Sequence, residues 1–122
     1  MQESAKVFED LLVWQKAHKF TLDVYALTKQ FPKEEMFGLS SQFRRAAVSI
    51  PANIAEGFKR LGTADKLRFY NIAQSSLAEC RYYLILTRDL GYGETKQLLG
   101  LLDNVCFFLD SLCVSIMDKK SP

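Results

Sequence analysis

A chain of 122 residues is long enough to bury about two-thirds of the surface its unfolded form exposes, so one domain spanning residues 1–122 needs no metal or disulfide staple. Apolar residues at 48% and charged residues at 25% exclude disordered, collagen-like and low-complexity classes. Sixteen Lys and Arg against fourteen Asp and Glu leave a net +2, which names no partner until it is resolved along the chain.

Apolar residues recur at three-and-four spacing almost throughout, which predicts an all-α domain. A first helix over about residues 7–30 carries Val13, Ala17, Phe20, Val24, Leu27 and Phe31 as one stripe, widened by Leu11, Trp14, His18 and Tyr25. Phe31-Pro32 ends it, because the residue before proline is pushed out of helical geometry. A second helix, about 39–61, packs Leu39, Phe43, Ala46, Ile50 and Ile54. Pro51 lies inside it, cannot bond the Ala47 carbonyl, and predicts a kink. Gly62 suits a left-handed helix end and Thr63 the cap of the next helix. That third helix, about 64–90, turns Phe69, Tyr70, Ala73, Leu77, Cys80, Leu84 and Thr87 inward, and Gly91-Tyr92-Gly93 breaks it.

The fourth helix, about 94–118, confines its charged and amide residues from Lys96 onward to two of seven heptad columns, the other five being overwhelmingly apolar or small. Of the two, one holds Lys96, Asp103 and Asp110, the other Gln97, Asn104, Ser111 and Asp118. A bundle helix buries about three columns in seven, so this one has more apolar surface than a single bundle can hide. Phe107 and Val114 fall on the excess face and are the expected contacts of a homo-oligomer. Short connections imply an up-down-up-down four-helix bundle with short flexible tails.

Chemistry is thinly provided. His18 is the single histidine and belongs to the apolar stripe. His18 with Cys80, Cys106 and Cys113 could make a zinc site, but the short paired ligand spacings are missing, and buried thiols are the simpler reading. No metal, cofactor or catalytic residue is expected, and the protein is read as not an enzyme. Cys106 and Cys113 are seven residues apart on one helix, roughly 10 Å and too far to bond. Unpaired thiols fit a reducing cytoplasm. The opening MQESAKVFED lacks the basic and apolar runs of an export signal. Residues 98–117 carry Asp103, Asn104 and Asp110, which argues against a membrane span. Glu34 and Glu35 read as acids at a helix start rather than as a catalytic pair.

Charge is more informative. Residues 44–68 hold six bases and two acids. Arg44, Lys59, Arg60, Lys66 and Arg68 are the candidate phosphate contacts, four of them around the turn between helices two and three. A solvated loop is the plainer reading for one subunit, but an oligomer would repeat the patch as a ring and gain avidity. A second polar line, Gln42, Arg45, Ser49, Asn53, Glu56 and Arg60, follows one face of the kinked helix. It could read RNA. The more economical role for Arg45, Ser49, Asn53 and Glu56 is a structural seam, with Ser49 or Asn53 satisfying backbone groups freed at Pro51 and Glu56 neutralising an arginine.

The run QFRRAAVSIPANIAEGFKR (42–60), with LLVWQKAHKFTLDVYALTKQFPKEEMFGL before it and FYNIAQSSLAECRYYLILTRDLGY after it, closely resembles the four-helix-bundle proteins encoded in 23S rRNA intervening sequences. Their relatives include the accessory variability determinant of diversity-generating retroelements. The resemblance implies a cytoplasmic bacterial homopentamer without catalytic activity, whose retroelement relatives bind nucleic acid and a reverse transcriptase through basic surfaces. The expectation is a non-enzymatic oligomeric scaffold that binds structured RNA or an RNA-protein complex, with a protein-interaction module lacking any nucleic-acid role as the alternative.

Overall fold

The computed structural model describes residues 5–120, so the expected tails at residues 1–4 and 121–122 lie outside it, as does the start of the segment read for an export signal. Among the described residues all regular structure is helical. The four helices are α1 (Leu12–Thr28), α2 (Leu39–Lys59), α3 (Thr63–Asp89) and α4 (Lys96–Lys120), with single 3-10 turns at Phe8–Asp10 and Lys33–Glu35.

The helices pack in a cycle, α1 on α2, α2 on α3, α3 on α4 and α4 on α1, with the diagonal pairs farther apart. The space between them is filled by Phe20, Val24, Phe43, Ile50, Ile54, Tyr70, Leu77, Leu84, Leu102, Val105 and Leu109, all essentially out of solvent. At about 1.5–3 kcal/mol for each large apolar side chain, this layer is the main source of stability. The narrow stripe of α1 and the stripe of α2 are buried as expected, but of the residues read as widening the first only Leu11 is buried, Trp14 being half-buried and His18 and Tyr25 exposed. Phe69 is not buried either; it stands half-exposed at the edge of α3 while Tyr70 goes inward and lies against Gly57, where even a Cβ would come within 2.5 Å of the ring.

The helix ends differ from the sequence reading in instructive ways. Residues 7–11 do not extend α1: Leu11 is extended, and the 3-10 turn before it is held by Asp10, whose carboxylate accepts the Lys6 and Val7 amides. α2 does run as one helix with Pro51 inside it, as the sequence reading has it. Gly62 is extended at φ −85°, not left-handed, and it rather than Thr63 is the cap residue of α3, so α2 ends on an extended Arg60. The left-handed glycine is Gly91, at φ 71°, where α3 stops. Glu35 accepts the Leu39 amide at the start of α2 and the Tyr92 hydroxyl at 2.8 Å, tying two connections together at one end of the bundle.

Candidate nucleic-acid interface

The turn between α2 and α3 brings Lys59, Arg60, Lys66 and Arg68 together, and three of the four already hold partners within the subunit. Arg60 pairs with Glu56 at 2.9 Å, one helical turn back. Arg68 pairs with Asp65 at 3.1 Å. The two guanidinium groups lie over the same Phe69 ring, 4.5 and 4.3 Å from its centroid, so the half-exposed phenyl holds two cations that each carry their own carboxylate. The Arg60 Nε is buried there without a partner. Lys66 reaches back to the end of α2 and donates to the Phe58 and Gly57 carbonyls at 2.7 and 3.1 Å. Its partial desolvation lowers its pKa. Only Lys59 of the four is exposed and without a partner among the described residues.

Arg44 does not join them. It lies sixteen helical residues from Arg60, roughly 24 Å along α2. There it donates to the Thr28 hydroxyl at 2.7 Å and covers the Tyr25 ring, so it fastens α2 to the end of α1.

The seam on α2 divides in the same manner. The Asn53 amide donates to the Ser49 carbonyl at 2.8 Å and to its hydroxyl, and Ser76 of α3 donates to the Ser49 hydroxyl at 2.8 Å. Neither Ser49 nor Asn53 serves the carbonyl that Pro51 orphans. That oxygen, Ala47 O, accepts from the Thr21 hydroxyl of α1 at 2.9 Å. Glu56 neutralises an arginine, as expected. Arg45 makes no hydrogen bond or ion pair with any described residue. It stands on the wall of an open groove of about 580 Å³ between α2 and α3, shared with Phe37, Gln42, Ser49, Ser76, Glu79 and Tyr83.

The excess face of α4 is present in the single chain. Phe107, Val114 and Met117 are 65%, 51% and 49% exposed, while Leu102, Val105 and Leu109 on the opposite side fill the core. Phe107, Val114, Asp110 and Asp118 line one concavity. Arg81 of α3 pairs with Asp103, and Gln74 donates to Asp110, so the acids beside this face are held from α3. Among the described residues α4 is the one helix long and apolar enough to cross a membrane, although its inner side packs on α1 and α3.

His18 is exposed and stacks on Trp14 at 5.0 Å rather than joining the core. Cys80, Cys106 and Cys113 are free thiols. Burial pushes the Cys80 thiol up to about 12, which keeps it protonated at neutral pH. Among the described residues no three His, Cys, Asp or Glu side chains converge as metal ligands.

This arrangement has known counterparts. The family model of the 23S rRNA-intervening sequence proteins matches residues 9–109, a span that draws on all four helices. The chain belongs to this family. A solved structure from Bacteroides thetaiotaomicron, described as a protein of unknown function from the S23 ribosomal protein family, is similar at 27% identity with a TM-score of 0.74. The match covers 84% of this chain and 95% of that one. No curated protein matches. Within the intervening-sequence family frame, sequence reasoning missed Thr21, Phe37, Glu79 and Tyr83. The signal for the last two was there: Ser76, Glu79 and Tyr83 place polar atoms at three-and-four spacing beside the apolar stripe of α3, opposite the α2 seam.

Proposed function

We propose that the protein is a non-enzymatic scaffold, an up-down-up-down bundle that assembles with copies of itself into a ring and binds structured RNA, or an RNA-protein complex, in the cytoplasm. The observation that carries the assembly is Phe107, two-thirds exposed beside Val114 and Met117 on a helix whose other side is core. Water contact at such a patch is unfavourable by several kcal/mol, and a second copy removes it. A pentamer, and kinship with the accessory variability determinant of retroelements, are the finer form that the resemblance supports. The RNA reading is supported by the basic turn and the family's association with rRNA intervening sequences.

Light scattering after size exclusion tests the assembly. The wild type elutes as a multimer, and Phe107→Asp with Val114→Asp elutes as a helical monomer; a wild-type monomer at micromolar concentration overturns the ring. Filter binding of a structured RNA against salt tests the rest. Affinity falls steeply as salt rises and falls further in Lys59→Glu/Arg68→Glu; affinity indifferent to both removes the RNA reading. A second reading, a protein-interaction module, draws support from the engagement of Arg60, Lys66 and Arg68 within the subunit, and an absence of RNA affinity at low salt selects it.

A further inference from the structure

The groove between α2 and α3 has three features that packing alone leaves unexplained. Phe37, at its mouth, is 92% exposed, so its ring contributes almost nothing to the core. Arg45, on the α2 wall, has no partner. Glu79, on the α3 wall, makes no ion pair with Arg45, yet its carboxylate is held in place: the Tyr83 hydroxyl donates to its Oε2 at 2.6 Å, and Tyr83 is fixed by packing on Phe43 and a 3.3 Å bond to Gln42. A flat apolar platform, an oriented acceptor pair and an unpaired cation therefore converge on one open space of about 580 Å³, within the size range of small-ligand sites.

We propose that this groove is a subsite for a guanine nucleotide, either free or as an unstacked guanine of a bound RNA. The ring of Phe37 stacks on the base, Glu79 accepts its two adjacent N–H groups, and Arg45 pairs with the phosphate. Guanine is selected by donor pattern. Its Watson–Crick edge offers an N–H next to an NH2, which suits the two oxygens of a carboxylate. Adenine and cytosine place a ring-nitrogen acceptor beside the amino group, and uracil flanks its single N–H with carbonyls, so each sets an acceptor against Glu79. Recognition of a splayed base by an aromatic face and its Watson–Crick edge is the usual mode for single-stranded RNA, and an arginine suits a phosphate through its fork of donors. Tyr83 is a positioning residue here, since it acts through Glu79.

This inference deepens the RNA reading, and titration calorimetry with GMP, AMP, guanosine and two short single-stranded RNAs, one with a central G and one with a central A, separates the two. GMP binds at least about 10-fold more tightly than AMP. Phe37→Ala, whose exposed ring leaves folding untouched, weakens GMP by roughly 10-fold. Arg45→Ala brings GMP down to the affinity of guanosine, and Glu79→Gln removes the preference for G over A. A preference seen with mononucleotides identifies the free nucleotide as ligand, and one seen only with the oligonucleotides identifies an RNA base. No binding of any probe at millimolar concentration, equal binding of G and A, or a G preference that survives Glu79→Gln overturns the proposal. Loss of salt-dependent affinity for structured RNA with the GMP preference intact sinks the scaffold reading alone.

Discussion

Pro51 removes one donor from the middle of α2, and the consequence is settled by a single hydroxyl on another helix. Thr21 shares its proton between Ala17 O of its own helix, at 3.1 Å, and Ala47 O across the interface, at 2.9 Å. Both sites are buried, so no water replaces the bond, and an unsatisfied buried carbonyl costs about 1–3 kcal/mol. Thr21→Val, which keeps the shape, is expected to lower the unfolding free energy by that amount, read from urea unfolding. In a Pro51→Ala background the restored amide can bond Ala47 O within α2, and the same Thr21→Val change then costs less. A double-mutant cycle on the four proteins reads the coupling; additivity within a few tenths of a kcal/mol refutes the pairing. The proline was visible in the sequence, and so was the carbonyl it frees. The partner was not, because Thr21 is 26 residues away and local spacing ranks only Ser49 and Asn53, whose side chains bond each other and Ser76 instead.

At the scale of the element, Lys66 is where charge and architecture were easiest to confuse. A lysine just past a turn reads as a solvent-facing base, and only the three-dimensional return of α3 alongside α2 places its ammonium on the last carbonyls of the preceding helix. Helix ends leave such carbonyls unsatisfied, and a cation there also complements the helix dipole. Lys66→Met deletes the donor together with the ammonium that lies 5.6 Å from the Phe58 ring centroid. It is expected to destabilise the protein by about 1 kcal/mol, with Lys66→Arg retaining part of the effect, both measured by urea unfolding. A Lys66→Met protein as stable as the wild type would return this residue to the phosphate-contact set. The apolar stripes of α1 and α2 were legible because burial has the helical period, and the excess face of α4 because five of its seven columns were apolar. The caps were less legible, since Gly62 and Gly91 look alike in sequence while only the second takes a left-handed φ. The groove was half legible: its α2 wall was singled out as a polar line, but pairing that line with Glu79 and Tyr83 needed the register of two helices.

For the molecule as a whole, the core carries groups that must stay protonated, and this fixes how stability responds to alkali. Burial raises Cys80 to about 12 from 9.0 and Tyr70 to about 12 from 10.0, and burial together with the Glu79 hydrogen bond raises Tyr83 to about 12. Above pH 9 the unfolded chain releases these protons and the folded chain keeps them, so the unfolded state binds fewer and stability falls as pH rises. The contribution is complete below pH 9, where Cys80 begins to titrate in the unfolded chain. It declines from there, more steeply above 10 as the tyrosines join, and is gone past about 12. Lys66, whose pKa is lowered by desolvation, works in the opposite sense as pH approaches 10.5, but it is one partly exposed group against two essentially buried ones. The fully buried thiol dominates, and its own share of the loss between pH 8 and pH 11 is on the order of 3 kcal/mol. Thermal melts followed by far-ultraviolet circular dichroism in reducing buffer at pH 8, 9, 10 and 11 should show a falling midpoint. Cys80→Ala should shrink the fall between pH 9 and 10 to the part left by Cys106 and Cys113, whose thiols burial also pushes up, and leave the tyrosine-driven fall above 10. A midpoint constant from pH 8 to 11 would mean that these groups reach solvent in the native state, and that the four-helix core is looser than its packing indicates.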